Sequence, residues 1–182
     1  MVKIPDPICA GFFPKQTQPR PAGLLEGTNV KEICSVSNCI SKGPDGWETK
    51  WIHNDLGFYD SESLAWQAVG EEREGFELYA YKIYPLEFDN GEVRPWETPL
   101  QLSPNLSNYT SIGIDLVTKD GCSFFSHSAL SCNSGADNFP VNKFCLIDQV
   151  EGAYQACIQV SKGKYEPGPY YLVEVLRHVK GG

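Results

Sequence analysis

The segment FELYAYKIY, residues 76–84, places Phe76, Leu78 and Ala80 on one side of an extended chain and Tyr79, Tyr81 and Ile83 on the other. A strand that is apolar on both sides has to lie inside a sheet covered on both faces. That requirement sets the architecture, because the rest of the chain must supply flanking strands and two covering layers. At 182 residues the chain is long enough to do this as one domain.

The covering elements can be read from their periodicity. Val150, Ala153, Tyr154, Cys157 and Ile158 recur at helical spacing, with Asp148 placed to cap, Glu151 in a capping-box position and Gly163 as a stop, which predicts a helix over 149–162. Leu64, Ala65, Ala68 and Val69 predict a second over 61–71, with Asp60 or Ser61 as N-cap. A third candidate starts at Asn29, where Val30, Ile33 and Cys34 share a side, although the same residues also suit a strand.

Further strands are expected at SIGIDLVT (111–118) and PYYLVEVLR (169–177). Asp120-Gly121 and Asn90-Gly91 are hairpin signals, since glycine adopts positive φ at little cost. Five prolines in the first 21 residues predict an extended N-terminal arm over 1–22, followed by a domain over 23–182. No internal repeat is evident. The fold class is α+β, a single domain with a mixed or mainly antiparallel sheet and two or three helices.

Twenty-three acidic against fifteen basic side chains give a formal charge of −8, with the basic residues scattered, which disfavours nucleic acid and anionic membrane surfaces as partners. Prolines interrupt the apolar residues near the start, and no stretch has the ~18 apolar residues of a membrane span, so a cytoplasmic location is expected. Seven cysteines, an odd number in a chain of this length, are expected to be mostly reduced and buried.

The densest group of reactive side chains is Ser126–Asp137, within GCSFFSHSALSCNSGADNFP. His127, Cys132 and Asn133 are the residue types of a thiol mechanism, in which a base activates sulfur and a third group orients the base. Ser126 and Ser131 are candidate ligand contacts, but serine and asparagine also bond local amides, so the same segment suits a purely structural loop. Thiolates and imidazole at Cys34, Cys39, Cys122, His127 and Cys132 would suit zinc, yet the close C-x-x-C pairs are missing, so no metal and no cofactor are expected. A second group, Trp51, His53, Asn54 and Tyr59, mixes flat apolar rings with polar handles and is a candidate pocket wall. Convergence of the His53 and His127 segments on one cleft would make a site. Glu174 is a carboxylate in an apolar run, expected to face solvent from an end strand.

From Leu24 to Phe88 the succession LLEGTNVKEI, GFYDSESLAWQAV and FELYAYKIYP resembles the first part of ADP-ribosyltransferase domains. The resemblance implies that Gly27 and Thr28 correspond to the family's first motif and that Tyr59 and Ser61 shape a nicotinamide pocket. It also implies that Glu174 supplies the carboxylate that activates the ribose. No motif of high catalytic specificity is present. The expectation is therefore a binding protein for a protein partner or a small polar ligand, with an ADP-ribosyltransferase-like or thiol-dependent transferase or hydrolase as the alternative.

Overall fold

The computed structural model describes residues 3–16, 19–47, 52–98, 100, 102–119 and 127–181. Among the described residues six strands and two α-helices form an α+β fold with an antiparallel sheet: β1 (Ile8–Gln16), α1 (Glu62–Val69), β2 (Phe76–Ile83), β3 (Leu86–Asp89), β4 (Glu92–Pro95), β5 (Tyr109–Thr118), α2 (Val150–Val160) and β6 (Tyr170–His178). Spatially β2 lies between β1 and β6, and β5 lies on the far side of β6. Leu78, Tyr79, Ala80, Tyr81 and Ile83 are all buried, as a strand covered on both faces requires. The hairpin β3–β4 turns on Asn90 and Gly91, both at positive φ (51° and 79°), as the Asn-Gly signal predicts.

Several expectations change. The proline-rich start is extended, and Ile8–Gln16 within it is strand β1, paired along β2. Asn29–Cys34 is not helical; the Lys31 N–H donates to the Lys143 carbonyl at 2.8 Å, so that amide is used across the fold rather than in a helix ladder. Ser61 caps α1 by accepting from the Leu64 N–H at 3.2 Å. Asp148 does not cap α2, because it accepts a 2.6 Å bond from the Asn142 side chain; Gln149 is the N-cap. The Asp120-Gly121 turn lies outside the described residues. Among the described residues no helix is long and apolar enough to cross a membrane.

Contrary to the sequence reading, the fold is built from two matching halves: β1–α1–β2 corresponds to β5–α2–β6. The two inner strands pair symmetrically about Tyr81↔Val175, with Tyr79↔Arg177 on one side and Ile83↔Val173 on the other. Each outer strand carries a bulge just before a glycine at positive φ, Gly11 (131°) and Gly113 (134°). A side chain at Gly11 would collide with the Tyr59 carbonyl, and one at Gly113 with Leu146. The residue after each glycine bridges the segment leading into its own helix, Phe12↔Tyr59 and Ile114↔Ile147.

The same side chain clamps both bulges. Asn54 donates to the carbonyl of the bulged Ala10 (2.9 Å) and to Asp60 (2.9 Å), while its own carbonyl accepts from Leu56 and Phe58 N–H groups. Asn142 donates to the bulged Ile112 carbonyl (2.8 Å) and to Asp148, and accepts from Phe144 and Leu146. A bulge strands one carbonyl out of the ladder, and the asparagine amide satisfies it. In the helices Ala65 and Ala68 match Ala153 and Ala156, all essentially buried. Asn54→Ala and Asn142→Ala should therefore destabilise by similar amounts, about 2–3 kcal/mol each, because each strands a buried carbonyl and two N–H groups. Urea unfolding checks this; a loss at one site with none at the other would break the correspondence.

Candidate functional site

Two charged side chains project from the outer strands onto one face of the sheet, and both are buried. Lys15 on β1 is 1% exposed and Asp115 on β5 is 0% exposed. The Lys15 ammonium donates to the carbonyls of Ser35 (3.0 Å), Val36 (2.6 Å), Ser37 (2.9 Å) and Ser41 (3.0 Å). Asp115 accepts from the Ser35 hydroxyl (2.9 Å), the Val36 N–H (2.9 Å), the Ser128 hydroxyl (2.5 Å) and its own neighbour's N–H, Leu116 (2.9 Å). The Ser35–Val36 peptide thus gives its carbonyl to the cation and its N–H to the anion, and Ser128 brings the second loop to the same carboxylate. Burial pulls the Lys15 ammonium down to about 7 and raises the Asp115 carboxyl, each opposed by the surrounding charge or hydrogen bonds.

The serines continue the pattern within each loop. Ser35 and Ser37 accept from the N–H groups of Ser37 and Cys39, and Ser128 accepts from Leu130 and Ser131. The density of serine in SHSALSC is to this extent structural. Two loops held by one carboxylate bring their ends together, and the Cys39 sulfur, a His127 ring nitrogen and the Cys132 sulfur all lie within 4.8 Å of one another. Cys39 is exposed, and His127 and Cys132 are half-buried. The Ser37 hydroxyl lies 3.3 Å from the Cys132 sulfur, which also accepts from the Ser128 N–H at 3.5 Å. Burial raises the Cys132 thiol above its ordinary value, and these two donors work against it. Asn38 Oδ1 and Asn133 Nδ2, next in sequence to the two cysteines, are buried without a hydrogen-bond partner among the described residues.

The other predicted residues take different places. Trp51 and Ser126 lie outside the described residues, as does Cys122. Ser131 is buried beside Cys132, its hydroxyl 3.9 Å from the sulfur. His53 contacts the Asn54 carbonyl through Nδ1 (3.0 Å) and the Trp47 ring edge (5.4 Å). Among the described contacts none joins the His53 and His127 segments. Asn54 is the bulge clamp, and Tyr59 is a core ring stacked on Phe13 at 5.6 Å. Thr28 closes a turn onto the Leu25 carbonyl. Glu174 is not on an end strand: β6 runs between β2 and β5, and the carboxylate pairs with Lys82 at 3.9 Å. Cys34 is not with Cys39; it is buried, its sulfur 3.7 Å from the Tyr79 hydroxyl, and its thiol is pushed up to about 12 by burial.

Lys15, Ser37 and Asp115 were the residues missed, while Cys39 entered the sequence analysis only as one of five zinc-ligand candidates. A charged residue in an apolar strand is the signal that singled out Glu174, and both GFFPK and GIDLV carry it.

Lys15 also sets a pH dependence. An unfolded lysine titrates near 10.5 and this one near 7, so between those values the unfolded chain holds more protons and folding becomes more favourable as pH rises. Relative to Lys15→Met, the parent should gain up to about 1.4 kcal/mol per pH unit between pH 7.5 and 9. Denaturant unfolding of both chains across that range reads the difference; a flat or falling difference would show that the ammonium stays charged. Comparison with known proteins finds no matching family model, no matching curated protein and no matching solved structure.

Proposed function

We propose that this protein binds a borderline-soft divalent metal ion, zinc being the best fit, at Cys39, His127 and Cys132, in place of the metal-free site expected from sequence. The observation that carries the reading is the approach of two sulfurs and an imidazole nitrogen to within 4.8 Å. Tetrahedral zinc with sulfur at ~2.3 Å and nitrogen at ~2.0 Å sets ligand atoms about 3.5–3.8 Å apart, a separation that small side-chain rotations reach from here. Thiolate and imidazole select zinc-like ions over magnesium or calcium, which take oxygen ligands. Three protein ligands leave a fourth position for water, a small ligand or a partner's side chain. The Ser37 hydroxyl and Ser128 N–H, both at the Cys132 sulfur, are placed to support a bound thiolate.

A thiol-dependent transferase or hydrolase draws on the same residues but needs a thiolate in the metal-free chain, and burial works against one at Cys132. A metal replaces the thiol proton and removes that difficulty. No disulfide joins the described cysteines, which supports a reducing, cytoplasmic compartment.

Titration of the reduced protein with cobalt and then zinc tests the reading. One equivalent should bind, with sulfur-to-cobalt charge-transfer bands, tetrahedral visible bands and release of protons on binding. Cys39→Ser, His127→Gln and Cys132→Ser should each weaken binding by ~100-fold or more, and His53→Gln should not. Absence of stoichiometric binding, or binding indifferent to these three changes, sinks the proposal.

A further inference from the structure

The two metal-site sulfurs also lie near enough to react with each other. We infer that Cys39 and Cys132 form a reversible disulfide that closes the site, so that the protein holds its ligand only when reduced. The loss of the ligand rests on the metal reading; the pairing of the thiols does not.

The asymmetry of the pair suggests the order of events. Cys39 is exposed, while Cys132 is half-buried, its sulfur accepting from the Ser128 N–H and in contact with the Ser37 hydroxyl. A small-molecule disulfide such as oxidised glutathione therefore meets Cys39 first. The Cys39 thiolate attacks one sulfur of the reagent, breaking its S–S bond and releasing one thiol, which takes up a proton. Cys132, within 4.8 Å, then attacks the Cys39 sulfur and expels the second thiol. Two protein thiols lose two hydrogens, one reagent disulfide gains them, and one S–S bond replaces another. Closing from within 4.8 Å to the ~2.05 Å of a disulfide requires the two side chains to rotate toward each other. The other described cysteines, apart from Cys9 at the margin of the core, are sealed from such a reagent: Cys34, Cys145 and Cys157 are at most 4% exposed, and their thiols are all raised by burial.

Closure removes both thiolates from the metal and leaves His127 alone, which cannot retain zinc at micromolar concentration. A transient disulfide of this kind is the form expected of redox sensing in a reducing compartment.

The test uses the full reduced chain, metal-free and zinc-loaded, exposed to oxidised glutathione, digested without reductant and mapped by mass spectrometry. The expected result is a Cys39–Cys132 cross-linked peptide, loss of zinc binding from one equivalent to none, and recovery of both states with reduced glutathione. Cys132→Ser should trap glutathione on Cys39, and Cys39→Ser should leave Cys132 unmodified over the same time. Glutathione remaining on Cys39 of the parent protein, or Cys39 joined to another cysteine such as Cys122, overturns the inference. A reduced protein that binds no zinc yet forms the cross-link overturns the metal reading alone. One that binds zinc and forms no cross-link overturns the disulfide alone.

Discussion

Two opposite charges buried on one face of a sheet govern how everything above that face is arranged. Taking an ammonium and a carboxylate out of water costs several kcal/mol per ion unless each is surrounded by hydrogen bonds. Strand amides are mostly committed to the ladder, and β5 supplies only one, the Leu116 N–H to Asp115. The remaining bonds to Lys15 and Asp115 come from the irregular chain at Ser35–Ser41 and Ser128, and the loops must take the shape that delivers them. The Ser35–Val36 peptide, polarised between cation and anion, is the shortest statement of that arrangement. The approach of Cys39 to His127 and Cys132 follows from it.

Beneath the loops the frame depends on a different device used twice. A bulge aims an outer strand at the segment leading into its helix, and an asparagine holds the freed carbonyl. The two Asn side chains also take up the acidic residue just ahead of each helix, Asp60 and Asp148, so strand, turn and helix start are joined through one amide. The glycine at each bulge leaves room for the segment leading into its helix, Tyr59 at Gly11 and Leu146 at Gly113. With these corners set, the inner strands pair about Tyr81 and Val175, and the helices pack onto the sheet.

What could be read from sequence was whatever is written locally. Alternation marks β2, helical spacing marks α1 and α2, and Asn90-Gly91 marks a hairpin, because each signal is complete within a few residues. The duplication escaped because it survives in spatial roles more than in letters. Gly57 and Cys145, different residues, share a positive φ of 89° and 63°, and the separation of equivalent positions changes with every loop. The same limit applied to the site. His127 and Cys132 were visible as a cluster, but their partner Cys39 stands far away in sequence, joined to them through a carboxylate on a third element. Asp148 was read as a helix cap for the same reason, since its competitor Asn142 acts through the bulge and not through helix periodicity.

The correspondence of the halves breaks at the positions that carry the charges. Counting from the bulge glycines, Lys15 on β1 stands where β5 has Val117, and Asp115 on β5 stands where β1 has Phe13. A symmetric dimer of two first halves would face two ammonium groups inward with no carboxylate to tie the loops. Two second halves would bury two carboxylates with no cation. Each half has become the counter-ion of the other, so the pair assembles as complementary partners within one chain, and the tether between β2 and β5 holds together what symmetry alone no longer could.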